Sequence, residues 1–141
     1  MAASPKTLSP AASHRLRAAA QELCLAVEGH MDELIRLVEE ETMLVRAGKL
    51  FALKDLEPKK ARAARDFIKG LEAVKKIRPS LEHHAPDAIY HLRRKHSEFR
   101  AMLQLSLAAL ATAKDASDGM LQAMSAGTRY GVDDQPPRAV A

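Results

Sequence analysis

The sequence contains no tryptophan, two tyrosines and three phenylalanines, so aromatic residues make up only 4% of its 141 positions. Strands favour β-branched and aromatic side chains. Their scarcity argues against a sheet. A single cysteine, Cys24, cannot form an internal disulfide, and nothing points to an oxidising compartment. The most apolar run, Leu103 to Ala113, is broken by Gln104 and Ser106 and is too short to cross a bilayer. Residues 1–12 carry no apolar segment of the secretory kind, so the expected location is cytoplasmic. There is no glycine-rich phosphate loop, no nucleophile elbow and no Cys–His pair at a family spacing. The reading is a protein that is not an enzyme and needs no cofactor.

What is present favours helices. The 47% hydrophobic content comes mainly from Ala, Leu, Val and Met. Ala and unbranched side chains lose little rotamer freedom in a helix. The formal charge of +4 is a mild excess and does not by itself indicate nucleic acid.

Residues 1–12 hold two prolines and two of the serines and read as a flexible leader. From Ser13, the expected N-cap, apolar or small residues recur at Leu16, Ala20, Leu23, Val27, Met31, Leu34, Leu37, Val38, Leu44 and Val45. This spacing of three and four predicts one helix over about 13–47, ended by Gly48 in the left-handed region. A second helix is expected over 50–77, with Leu53, Leu56, Lys60, Ala63, Phe67, Leu71, Val74 and Ile77 on one face. Pro58 interrupts that pattern. Either the helix kinks there, or a short turn precedes a main helix with Pro58 in its first turn. Arg78-Pro79 is expected to stop the helix, and 79–86 to be a connection.

Pro86 and Asp87 suit the first turn of a third helix over 86–126. Its stripe is Ile89, Leu92, His96, Phe99, Leu103, Leu107, Leu110 and Ala113, followed by Met120, Leu121 and Met124. Gly127 is the expected C-cap, and 128–141 a polar tail. The predicted architecture is all-α, an antiparallel, coiled-coil-like bundle of three long helices spanning 13–127. Charge supports the pairing of the first two. Residues 21–41 hold seven acids and one base, and residues 54–78 hold nine bases and four acids.

Candidate chemistry is sparse. His83, His84, His91 and His96 surround the second link, but none of them is three or four residues from another with a Cys or carboxylate at metal spacing. They read as solvated side chains with His96 half-buried, and no metal is expected. The basic runs around Lys59–Arg65 and Arg93–Lys95 lack the stacking aromatics of a nucleic-acid binder and read as solvated helix faces. Cys24 reads as a small core residue. Met102, Met120 and Met124 have two readings. They are core residues at helical spacing, or, at the end of the third helix, an exposed stripe that adapts to helical partners.

At the first link the order Glu41, Leu44, Val45, Gly48, Leu53, Leu56, Lys60 resembles the signature of the FlgN-type flagellar export chaperones. In that family a Glu, two apolar residues and a Gly end the first helix, and a leucine ladder leads to a Lys in the second. Glu41 and Lys60 stand where they can pair across the link. Thr128-Arg129-Tyr130-Gly131 resembles the Tyr-Gly element of the family's tail. The architectural likeness covers about 16–131, and the motif about 20 residues of it. Pro58 departs from it, as does Leu103–Leu107, where the family places an Asn pair.

The resemblance implies a chaperone of the flagellar type III export system that binds hook-associated proteins at the hook–filament junction and delivers them to the export gate. It implies client binding through Met120, Leu121 and Met124, and export-gate contact through Tyr130. No nucleic acid and no membrane insertion are expected, and self-association is open. The alternatives are a non-flagellar coiled-coil adaptor or structural interaction protein, and a nucleic-acid-binding helical module.

Overall fold

The computed structural model describes residues 9–133, with side chains described for 9–127. Among the described residues there is no strand. The order is α1 (Pro10–Arg46), α2 (Leu50–Lys76), α3 (Arg78–His84) and α4 (Pro86–Asp133). The described residues are all-α, and they form four helices where the sequence pattern predicted three.

The helix starts correct the expectations. α1 begins at Pro10, and its N-cap is Ser9 rather than Ser13. The Ser9 hydroxyl accepts from the Ala12 amide at 3.2 Å. Proline lacks the amide hydrogen that would go unpaired in a first turn, so the Ser-Pro pair starts the helix instead of belonging to a leader. Residues 1–8 of the expected leader lie outside the described residues. The end of α1 follows the sequence. Gly48 has φ +69°, its amide donates to the Val45 carbonyl, and the Lys49 amide donates to the Leu44 carbonyl. This pair of bonds is the Schellman arrangement, which satisfies the last carbonyls of a helix.

Pro58 lies inside α2, which is continuous from Leu50 to Lys76, so the helix is not split there. The expected 79–86 connection is largely helical: α3 occupies Arg78–His84, with Pro79 in its first turn. Leu81, 1% exposed, anchors it in the core. Gly127 does not cap α4, which runs on to Asp133 through the first six residues of the expected tail. Residues 134–141 lie outside the described residues.

α1 is the central element, with α2 and α4 each packed along it. Glu41 meets Lys60, while Val27 meets Gly70, so α1 and α2 run antiparallel. A Cβ on Gly70 would stand 2.8 Å from a Val27 methyl, a measure of how closely the two backbones approach. Asp32 pairs with Lys95 and Glu41 with Lys114, so α4 runs parallel to α1. The α2 and α4 backbones stay apart and meet through side chains, notably Phe67 against Phe99 at 5.0 Å between ring centres.

The largest core cluster joins Cys24, Val27 and Met31 of α1 to Val74, Leu81, Ile89, Leu92 and Phe99. A second joins Val38 and Val45 to Leu110 and Ala113, and a third joins Leu37 to Leu56 and Ala63. Three residues of the expected stripes before Met120 prove more exposed than their spacing suggested, Leu16 at 40%, Ile77 at 41% and Leu107 at 47%. No helix among the described residues is long and apolar enough to cross a membrane.

Candidate partner-binding surface

The residues quoted for the first link converge. Glu41 and Val45 are buried on α1 and Leu56 on α2, with Leu44, Leu53 and Lys60 half-buried around them and Gly48 at the turn. The Glu41 side chain is 3% exposed. Its Oε2 accepts from Lys60 Nζ at 2.6 Å, and its Oε1 lies 3.5 Å from Lys114 Nζ. Lys60 also reaches Glu57 at 3.2 Å. One carboxylate thus ties together the three long helices. Burial pushes the Glu41 carboxyl up, but the Lys60 hydrogen bond and charge, with Lys114 behind them, outweigh it and hold it below the usual range. Lys60 is drawn down by burial and up more strongly by Glu41 and Glu57, ending above the ordinary lysine value.

The broad charge match expected between the first two helices is realised narrowly. Lys60–Glu41 is the one ion pair linking α1 and α2 among the described residues. Arg36 pairs within α1 to Glu33 and Glu40. Asp32 turns to Lys95 of α4, at 3.0 Å. The acids of α1 face two neighbours, because α1 lies between them.

The second feature is apolar and exposed. Residues 118–127 of α4 are all exposed, including Met120 (66%), Leu121 (53%) and Met124 (62%). They face solvent because α1 ends first: its last turn and Gly48 border the same groove as Ala113, Ser117 and Met120. At 1.5 Å per residue, Leu121 to Asp133 extends about 18 Å past that point. Leu121 prolongs the core-facing row of Phe99, Leu103, Leu110 and Ser117. Met120 instead prolongs a row on the open side, Met102, Leu105, Ala109 and Ala116, at spacings of three, four and seven. Across the groove from this row stand Ile35, Met43 and Arg46 of α1. Met43 (69%) and Leu105 (70%) were not singled out from the sequence. The signal available was the 3–4 periodicity on the polar side of α4, masked by the longer core stripe beside it.

The remaining candidates separate. Tyr130 falls within the α4 helix span, but its side chain lies outside the described residues. His83 and His84 meet edge-on at 4.8 Å. His96 is half-buried against Phe67 and Phe99. Among the described residues no three His, Cys, Asp or Glu side chains are grouped to hold a metal ion. Cys24 is 1% exposed. Its burial, with Glu28 nearby, pushes the thiol up, opposite to the activation that a nucleophilic thiolate requires. Leu50 (55%) and Phe51 (85%) are exposed at the hairpin tip, with Lys54 5.7 Å from the Phe51 ring centre.

No family model, curated protein or solved structure matches the chain.

Proposed function

We propose that the protein is a cytoplasmic chaperone of the flagellar type III export system, binding hook-associated proteins and delivering them to the export gate. The assignment of client and pathway rests on the likeness of Glu41 to Lys60 and of Thr128 to Gly131 to the FlgN-type signature. The observation that carries the binding role is the exposed Met120, Leu121 and Met124 surface on the part of α4 that outruns α1. In this reading the three long helices form an antiparallel, coiled-coil-like bundle that holds α4 in place, and Tyr130 is the export-gate contact. Flexible, polarisable methionines suit helical partners of varied sequence. Covering a client's apolar stripe removes an aggregation hazard, and the ordering cost keeps binding reversible.

Deleting residues 117–141 should leave the helical hairpin folded and abolish capture of hook-associated proteins from a flagellated-cell lysate. Full capture by the truncated chain would overturn the assigned surface. The exposed stripe equally suits a coiled-coil adaptor outside the flagellum. A gene-deletion strain that swims normally on complete filaments would favour that second reading.

A further inference from the structure

The exposed row on α4 does not begin at Met120. It starts at Met102 and continues through Leu105, Ala109 (half-buried) and Ala116 to Met120, with Met124 at its edge. The 22 helical steps from Met102 to Met124 span about 33 Å, or about six turns. Ile35 and Met43 line the facing side of the same groove on α1. Small residues at Ala109 and Ala116 leave room for a third backbone to come close. α1 and α4 are parallel, and α2 covers one side of the pair in the antiparallel sense. The opposite side is this open seam, and a helix laid there would complete a four-helix arrangement.

Charge along the seam selects the occupant. Arg36 is tied to Glu33 and Glu40, and Glu98 to Arg94 at 3.4 Å. Arg46 and, just beyond it, Lys49 form no ion pair among the described residues. Glu39, two turns back along α1, is likewise unpaired. A second copy fits this poorly. The centre of the apolar row lies level with Arg46, so a two-fold axis there would bring the Arg46 and Lys49 cations of both copies together.

We propose that the α1–α4 seam, from Met102 and Ile35 to Met120, is the seat of an amphipathic helix from a different protein. That helix is acidic where it passes the hairpin tip. The inference rests on the protein's being a holder of helical segments and extends its surface along α4 from Met120 back to Met102. The occupant places an apolar stripe at 3–4 spacing on Ile35, Met43, Met102 and Leu105, and carboxylates beside Arg46 and Lys49. The polarity from Glu39 to Arg46 fixes which way it lies.

The test uses the full chain and three synthetic 24-residue peptides followed by fluorescence anisotropy. One has a leucine stripe and three glutamates midway along it, level with Arg46, the second has lysines in their place, and the third has the stripe leucines replaced by serine. The glutamate peptide should bind, on the order of tenfold more tightly than the lysine peptide, and the serine peptide should not bind. Met102→Glu with Leu105→Glu should weaken binding by about tenfold or more, with helical circular dichroism unchanged because both side chains are exposed. Should that pair disturb the helix, Leu105→Gln alone gives the same reading at smaller amplitude. Arg46→Glu should reverse the preference between the charged peptides.

Unchanged binding by M102E/L105E, with binding lost in M120E/L121E, would overturn the extended seat while leaving the end-of-helix surface standing. Failure of wild type to bind any stripe peptide would overturn both. A wild-type dimer that M102E/L105E converts to monomer would make the occupant a second copy and overturn the inference.

Discussion

Replacing Lys60 by methionine removes the closest partner of a carboxylate that the fold has taken out of water. Glu41 is 3% exposed and accepts from Lys60 at 2.6 Å, whereas Lys114 stands 3.5 Å away with a half-exposed side chain. Breaking a fully buried pair from one side costs about 3–5 kcal/mol. Lys60 is 23% exposed and Lys114 remains, so a loss of about 2–3 kcal/mol is expected. At about 3–5 °C per kcal/mol for a domain of this size, the thermal midpoint should fall by roughly 6–15 °C.

Glu41→Met in the K60M background removes the stranded charge and should recover much of the loss, because an apolar pair of similar volume is often as stable as a buried ion pair. Lys114→Met alone should cost under about 1 kcal/mol, since solvent screens it. pH gives an independent readout. Glu41's carboxyl is held below its unfolded value, so its contribution is complete above about pH 4.3 and is lost as pH falls through the folded value. Lys60 is held above its unfolded value, so its share is complete below about pH 10.4 and is lost as pH rises through the folded value. Urea titrations of the four proteins from pH 3 to 8 measure the acid side. A K60M loss below about 0.5 kcal/mol, or no recovery on adding E41M, would refute the view of this cluster as an energetic pin.

Gly70→Ala should destabilise by about 1–3 kcal/mol, despite a helix-propensity gain of about 1 kcal/mol. The added methyl meets Val27 at 2.8 Å, and G70A combined with Val27→Ala should regain part of the loss in urea unfolding. Gly48→Ala places a Cβ at φ +69° and should cost about 1–2 kcal/mol, read as a lower thermal midpoint with unchanged helix content. Burial, then the Arg100 and Lys75 charges, hold His96 below the usual imidazole range. Its contribution is therefore complete above about pH 6.5 and lost as pH falls through the folded value. An NMR titration placing the His96 ring at or above that pH would contradict the packing against Phe67 and Phe99.

The parts legible in the sequence are those governed by local rules. Gly48 ends α1 because only a residue without Cβ accepts that φ cheaply, and the 3–4 spacing placed Val27, Met31, Leu37, Leu56 and Leu110 inward correctly. The Glu41–Lys60 contact was legible as a possibility from its position across a tight turn. Three things were not. Pro10 was read into a leader and Pro79 into a connection although each stands in the first turn of a helix, since a proline's effect depends on where in a helix it falls. The order of packing was hidden, because periodicity tells that a face is buried and not by which neighbour. Nor does a stripe show where its partner stops. Leu110 and Leu121 are alike in pattern, yet one is 6% and the other 53% exposed, and the difference is the length of α1.

That difference in length explains how the molecule can keep an apolar surface in water without losing its fold. The described core clusters end at Ala113 on α4, and each is closed by residues of α1 that lie before Gly48. The ion cluster at Glu41 is the last point where all three long helices are joined, and Lys114 contributes from just beyond that core. Past it α4 keeps its helical backbone, while the side chains described there, from Asp118 to Gly127, are exposed. Substitution at Met120 or Leu121 therefore removes no described core contact, while substitution at Leu110 or Val45 opens a cavity. Selection on the exposed end of α4, from Met120 on, can then follow the needs of a partner, because the core closes about two turns earlier, at Ala113.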